Sequence, residues 1–102
     1  MNHIKIKKIE TSNVKNKRYK IIMDDGKIFN FGLKGGSTYI DHYNLNLKNA
    51  YQKRHLGNLT ENHLIKNLIP SPSLFSYYIL WGPHTSVNQN IKYLNNLWNK
   101  IV

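Results

Sequence analysis

The chain contains no cysteine, which excludes disulfide bonds and zinc sites built on thiolate ligands. It also lacks any apolar stretch near the ~20 residues that a membrane-spanning helix needs, so we expect no transmembrane segment. Its first residues are basic and polar, without an apolar run of signal-peptide length, and we expect no secretory leader.

Acidic residues are scarce, and their scarcity gives the chain a strong positive charge. Five Asp and Glu stand against fifteen Lys and Arg, for a formal net charge of +10. Residues 1–56 hold twelve Lys or Arg against four acids, whereas residues 57–102 hold three against one. This asymmetry predicts an anionic partner on the N-terminal side. A second interpretation stays open, because the 13 Lys, 15 Asn and 12 Ile indicate a composition bias that also yields merely solvated lysines.

The first third of the chain carries strand patterns. Isoleucine and lysine alternate over residues 4–7, and two runs rich in strand formers, 19–23 and 27–31, flank the Asp-Asp-Gly at 24–26. Asp-Gly between two such runs indicates a hairpin, because Gly tolerates the positive φ of a tight turn. Residues 3–33 are therefore predicted to form a three-stranded antiparallel meander.

Helix signals follow the predicted sheet. Asn44 or Asn46 can cap a helix that runs to about residue 55 or 56, and Gly57 stands where it would stop. A short, weak segment spans residues 60–69. Ser71 then caps a second helix over residues 72–81, which is apolar nearly all round and is expected in the core.

The last predicted helix opens at Ser86. Its apolar side chains recur at helical spacing and form one stripe: Val87, Ile91, Leu94, Trp98 and Ile101. Its other positions are rich in Asn, a poor helix former, so packing of the stripe must hold it in place. The predicted fold class is α+β, a single domain over residues 1–102, in which the meander is followed by about three helices. The last two helices are expected to supply the core against the sheet.

The glycine-rich stretch FGLKGGSTYIDHY at residues 31–43 invites a comparison with phosphate-binding loops. A Walker loop places its Lys after the glycines and next to Ser or Thr, but here Lys34 precedes the Gly35-Gly36 pair. The favoured interpretation is a turn in which Gly35 or Gly36 takes a positive φ. The alternative is that backbone amides and Lys34 bind an anion or an acidic side chain.

Metal binding and catalysis find little support in the sequence. The five histidines, His3, His42, His55, His63 and His84, form no His-x-x-x-His pair. Ser37, Asp41 and His42 have the residue types of a hydrolase triad, but no nucleophile elbow accompanies them. We expect no enzyme activity, no cofactor, no metal and no small-molecule substrate.

A nucleic-acid surface remains an alternative. Most N-terminal cations are lysines, which suit sequence-independent phosphate contacts, and with only two arginines base reading is disfavoured. The aromatic side chains that could stack on bases are Tyr19, Phe29, Phe31 and Tyr39, although aromatic residues on a strand more often lie in the core.

Scattered residues in a fixed order carry a resemblance to a known family. They are Phe31-Gly32, Lys34-Gly35, Ser37, Tyr39, His42, Tyr51, Arg54-His55, Leu80-Trp81 and Pro83. Over roughly residues 19–95 the chain resembles a family of small basic proteins, a domain of unknown function, encoded by nucleocytoplasmic large DNA viruses. It departs from that family after His55, where lysine is sparse and tyrosine is frequent. The resemblance implies a viral origin and no catalytic activity.

These observations together predict a non-catalytic, small basic virion component, a minor capsid or cementing protein that binds acidic neighbours in the virion or in the host cytoplasm. The alternative is a sequence-independent nucleic-acid-binding protein of a large DNA virus. The partners are thus other virion proteins or nucleic acid. The predicted contact residues are Lys34, Ser37, Tyr39, His42, Tyr51, Arg54 and His55, with loop and helix forming one surface.

Overall fold

A computed structural model describes residues 4–100 of the chain. Its three strands, β1 (Ile6–Thr11), β2 (Lys17–Met23) and β3 (Ile28–Leu33), form one antiparallel sheet in the order β1-β2-β3. The helices that follow are α1 (Tyr39–His42), α2 (Leu45–Leu56), α3 (Leu59–Lys66), α4 (Pro72–Phe75) with its π-helical continuation Ser76–Leu80, and α5 (Val87–Lys100).

The predicted α+β class with an N-terminal meander is confirmed. The helices outnumber the predicted three because α1 is a single turn inside the glycine-rich stretch and α3 is a true helix where only a weak segment was expected. Two predicted positions, residue 3 of the meander and Ile101 of the apolar stripe, lie outside the described residues.

The hairpin between β2 and β3 forms at the predicted Asp-Gly. Gly26 has a φ of +89°, and its N–H donates to the Met23 carbonyl over 2.9 Å. The resulting register places Tyr19 opposite Phe31, and Ile21 opposite Phe29. Since side chains on a strand alternate between faces, these four share the face of the sheet that meets the helices.

The core lies between that face of the sheet and the last two helical segments, as predicted. Its fully buried members include Ile21, Phe31, Leu74, Phe75, Ile79, Leu80, Leu94 and Trp98. Each such side chain contributes about 1.5–3 kcal/mol by leaving water. The indole Nε1–H of Trp98 donates to the Leu68 carbonyl over 2.8 Å, so its one polar atom is paired.

The segment 72–81 begins as predicted and then changes its winding. Ser71 Oγ accepts from the Leu74 N–H, and Pro72 occupies the first helical turn. From Ser76 onward the helix is π-helical, and the Trp81 N–H donates to the Ser76 carbonyl over 3.1 Å. The wider turn ends the segment with Trp81 half-buried at the side of the core.

Helix α2 buries none of its residues fully. Asn44 caps it by accepting from the Leu47 N–H over 3.1 Å, as the sequence predicted, and Gly57 ends it. Its attachment to the rest of the molecule runs through Trp81, whose carbonyl accepts from Gln52 Nε2 over 2.9 Å. In residues 4–100 no helix combines the length and the apolar character needed to cross a membrane.

Candidate binding cleft at the basic end of the sheet

A cleft of about 550 Å³ opens where β2 begins and β3 ends. One wall is the inner face of these strands, with Lys17 and Leu33, and the loop 36–38. The opposite wall is the last turn of α2 together with α4. The cleft therefore lies between the N-terminal sheet and the helical half of the chain.

The glycine-rich stretch builds one rim of this cleft as a turn. Gly35 has a φ of +83°, and the Gly36 N–H donates to the Leu33 carbonyl over 3.0 Å, which confirms the predicted tight turn. Gly32 has a φ of +79°, and a Cβ there would lie 3.0 Å from Leu80 Cδ1. Gly35 thus allows the chain to turn, and Gly32 allows the backbone to pack closely against Leu80.

A bidentate ion pair fixes the loop that follows. Arg18 Nη1 and Nη2 donate to Asp41 Oδ2 and Oδ1, each over 2.7 Å. The Thr38 N–H and hydroxyl both donate to Asp41 Oδ2 over 2.8 Å, in the manner of a capping box. The hydrogen bonds from Arg18, and those from Thr38, hold the pKa of Asp41 well below its usual range. Asp41 is therefore engaged in structure, not in orienting a histidine.

Four rings join α1 and α2 to the core. The Tyr51 ring stacks on Trp81 with centroids 4.2 Å apart, and His55 lies 4.0 Å away from Tyr51. Trp81 and His55 are both too close to Tyr51 to cover the same face of its ring, so the Tyr51 ring lies between them. His42 packs on Trp81 at 5.3 Å. Burial raises the pKa of Tyr51 to about 12, which keeps its phenol neutral.

His55 also links α2 to α3. Its Nδ1 lies 2.5 Å from Glu61 Oε2, and both side chains are about three-quarters buried. With Nδ1 engaged by the carboxylate, Nε2 is the ring nitrogen left for another partner. Among the described residues Nε2 has no hydrogen-bond partner, and it is not a buried atom.

Two cations line the cleft, and two more belong to the loops beside it. Lys17 and Arg54 line it, and the backbone N–H of Lys34 donates to the Asn16 carbonyl over 3.1 Å, which brings the β3–α1 loop beside the β1–β2 loop. We call Lys15, Lys17, Lys34 and Arg54 the basic end. Each of the four is exposed.

The structure brings together part of the predicted contact set. Ser37, Tyr51, Arg54 and His55 line the cleft, and exposed Lys34 stands on its rim between lining residues.

Two predicted contact residues lie elsewhere. Tyr39 is half-buried with Lys48 Nζ 4.7 Å from its ring centroid, and His42 Nδ1 accepts from the Asn44 N–H over 2.9 Å. Both therefore form part of the connection between α1 and α2, and neither lines the cleft.

Sequence reasoning missed several lining residues: Lys17, Leu33, Glu61, Pro72, Ser73, Ser76 and Trp81. In the sequence, Lys17 is one cation of a basic run and Trp81 is one residue of the family resemblance. Neither pattern predicts that these residues line a cleft. The Pro-Ser pair at 72–73 was interpreted as a helix start, which it also is. No local pattern indicates that the start of α4 faces the end of α2.

The described part of the chain holds no cluster of three or more His, Asp or Glu side chains arranged for a metal ion. The His42 and His55 rings are separated by Tyr51 and Trp81 and do not share the cleft. The cleft combines two cations, one His–Glu pair, several hydroxyls and apolar walls. That arrangement can hold an anion with an apolar body.

Comparison with known proteins gives one similarity. Residues 7–55 match the model of a family of unknown function, DUF5754. The matched part runs from β1 to the end of α2, so it contains the loop rim of the cleft and Arg54, but not Glu61 or α4. No curated protein and no solved structure matches the chain.

Proposed function

We propose that this protein is a non-catalytic, small basic component of a virus particle, a minor capsid or cementing protein that binds acidic neighbours. Its place of action would be the virion, or the host cytoplasm where particles assemble. The viral element of this proposal rests on the family resemblance over roughly residues 19–95, and the binding element rests on the distribution of charge.

The observation that carries the binding proposal is that, within residues 4–100, every lysine except Lys8 lacks a carboxylate partner. Within residues 4–100, Lys8 is the one lysine with a carboxylate oxygen within 4.0 Å, at 2.8 Å from Glu10. The other lysines keep their charge for an external anion. Surface ion pairs add little stability, so unpaired lysines cost the fold little.

The charges are also separated along the sheet. The basic end lies where β2 begins, whereas Asp24 and Asp25 follow its last residue. A strand of seven residues spans about 20 Å, which exceeds the ~8 Å screening length at physiological salt. An acidic partner approaching the basic end therefore meets little repulsion from the hairpin.

The non-catalytic element is supported by the structural roles of the acidic side chains. Asp41 is bound by Arg18 and Thr38, and Glu61 is bound by His55 Nδ1. Both acids have roles that hold two segments of the chain together. The remaining acids, Glu10, Asp24 and Asp25, do not line the cleft.

Sequence-independent nucleic-acid binding is the second candidate, because exposed, unpaired lysines suit phosphate contacts. The rings that would stack on bases are poorly placed for that role. Of the four rings predicted for that role, Phe31 is fully buried, and Tyr19, Phe29 and Tyr39 are half-buried. Single-strand binders commonly add such stacking to charge, so the acidic-protein partner is favoured.

The test is mass spectrometry of purified, nuclease-treated particles that carry the wild-type chain or the double variant Lys34→Ala, Arg54→Ala. The proposal predicts a fixed ratio to the major capsid protein for the wild type and a reduced ratio for the variant. Unchanged incorporation, together with unchanged retention on polyanions, would contradict it. A nucleic-acid binder would instead bind duplex DNA with an affinity that falls linearly on a log–log salt plot.

A further inference from the structure

We infer that the cleft binds an acidic peptide segment in which an apolar side chain stands next to carboxylates. This inference rests on the proposed function, because the segment would belong to the acidic neighbour. It adds a site and a ligand chemistry, both of which the overall charge leaves open.

The size and walls of the cleft fit such a segment. About 550 Å³ lies within the usual range of ligand pockets, roughly 300–1,000 Å³. Leu33 and Pro72 both line the cleft, one from β3 and the other from α4, and both are exposed, Leu33 at 66% of its surface. An apolar side chain entering between them would remove their surface from water. An anion without an apolar part would leave the surfaces of Leu33 and Pro72 exposed to water.

The charged groups sit on the two walls as well. Lys17 comes from the start of β2, and Arg54 comes from the last turn of α2. Within the described residues neither has a carboxylate partner, so the Arg54 guanidinium is available for bidentate binding of a carboxylate. Glu61 is the one lining carboxylate, and its Oε2 is engaged by His55.

The same walls disfavour a nucleotide. Tyr51 lies between His55 and Trp81, so no face of its ring is open to a base. Leu33, Pro72 and the Ser73 hydroxyl offer aliphatic and hydrogen-bonding contacts, which suit a peptide better than a stacked ring.

The test compares two fluorescein-labelled peptides with the same charge, Gly-Glu-Leu-Glu-Leu-Glu-Gly and Gly-Glu-Ser-Glu-Ser-Glu-Gly, by fluorescence anisotropy with the full chain at low salt. Burial of one leucine side chain predicts about tenfold tighter binding of the leucine peptide. Polyglutamate and an oligothymidylate of equal charge serve as the other two probes.

Matched variants locate the binding. Leu33→Ser should reduce the leucine advantage to less than about twofold, the size expected when an apolar contact is lost. Ile28→Ser changes another exposed apolar residue, at the other end of β3 and outside the cleft, and should preserve the leucine advantage. Arg54→Ala should weaken both peptides more than Lys53→Ala, which removes the same charge from the neighbouring position outside the cleft.

Each outcome of these measurements either supports or overturns the proposed peptide site. Equal affinity of the two peptides for the wild type, or an unchanged leucine advantage in a folded Leu33→Ser variant, overturns the peptide site. Polyglutamate binding without a leucine advantage leaves the proposed function standing and rejects this inference alone. Tighter binding of oligothymidylate than of either peptide makes nucleic acid the partner. If none of the four probes binds at low salt, the proposed function fails too.

Discussion

Asp41 illustrates how a single side chain can be misjudged from its neighbours in sequence. Next to His42 and four residues after Ser37, it has the residue type of a catalytic acid. Its actual partner is Arg18, 23 positions away, with Thr38 supplying two further hydrogen bonds. Because residue type alone does not reveal a long-range partner, the ion pair could not be predicted.

Replacing Asp41 with Asn should lower the free energy of unfolding by about 1–2 kcal/mol at neutral pH, a value discounted for partial exposure of the pair. The pKa of Asp41 is lower in the folded than in the unfolded chain. Its stabilising effect is therefore present above the unfolded value of about 3.9 and is lost as the pH falls further.

Urea unfolding at several pH values measures this difference. The gap between wild type and Asp41→Asn should be constant near neutrality and should shrink below about pH 4. Asp25→Asn is the control, because within residues 4–100 the Asp25 carboxylate accepts a hydrogen bond from the Lys27 N–H in its own turn and has no cation partner. A gap that does not change with pH would contradict the ion-pair account.

The positions of some predicted contact residues could be predicted from local sequence patterns, and those of others could not. Arg54 and His55 lie on a helix with a visible cap and stop, so their position near the end of α2 could be predicted. Tyr39 and His42 fall on a one-turn helix within a glycine-rich stretch, and that turn owes its form to the distant Arg18. Their contacts could not be predicted from local pattern.

Among the elements, α5 shows which buried residues the spacing of apolar side chains can predict and which it cannot. The stripe with Leu94 and Trp98 was visible, and both residues are buried. Asn90, which is polar and not a member of the predicted stripe, is fully buried too. Its side chain pairs with three backbone groups: it donates to the carbonyls of Ile79 and His84 and accepts from the His84 N–H. It thereby holds the irregular turn between the π-helical segment and α5.

Asn90→Ala should destabilise the protein by about 3 kcal/mol, because it leaves the buried Ile79 carbonyl and the partly buried His84 N–H and carbonyl without their side-chain partner. Thermal or urea unfolding measures the loss. Asn96→Ala, on an exposed position of the same helix, should change stability by less than about 0.5 kcal/mol. Equal effects of the two substitutions would show that the turn does not depend on Asn90.

The same turn also depends on Gly82, where the backbone of the preceding helix leaves no room for a side chain. A Cβ at Gly82 would lie 1.9 Å from the Tyr78 carbonyl oxygen, a backbone atom that cannot move without disturbing the helix. Gly82→Ala should therefore unfold the turn and lower the melting temperature by several degrees more than Gly57→Ala, where the nearest atom is 3.4 Å away. Similar melting temperatures for the two variants would contradict the close approach.

For the whole molecule, the sequence predicted the fold class because its strongest signals are local: the Asp-Gly hairpin, the capped helix at Ser71 and the stripe of α5. The cleft depends on how the sheet and the helices meet, which periodicity does not encode. Lys17 and Arg54 are 37 positions apart, yet they line one cavity.

The charge of the whole molecule has a consequence for stability. The net charge is +10, and within the described residues none of the four basic-end cations has a carboxylate partner, so like charges repel in the folded state. Raising the ionic strength from about 0.01 M to about 0.15 M shortens the screening length from about 30 Å to about 8 Å and should increase the free energy of unfolding. Urea unfolding at the two salt concentrations measures it, and Lys17→Gln should reduce the increment. A decrease with salt would indicate that favourable ion pairs dominate instead.

The measurement that most directly tests the account is binding to polyglutamate at low salt by two variants that lose the same number of charges. One variant replaces the basic end with glutamine at Lys15, Lys17, Lys34 and Arg54, and the other does so at Lys27, Lys66, Lys92 and Lys100. If anion binding is localised at the cleft mouth, the first variant loses most of its affinity and the second retains it. Equal loss in the two variants would mean that net charge alone attracts the anion, and the account of a defined binding end would be wrong.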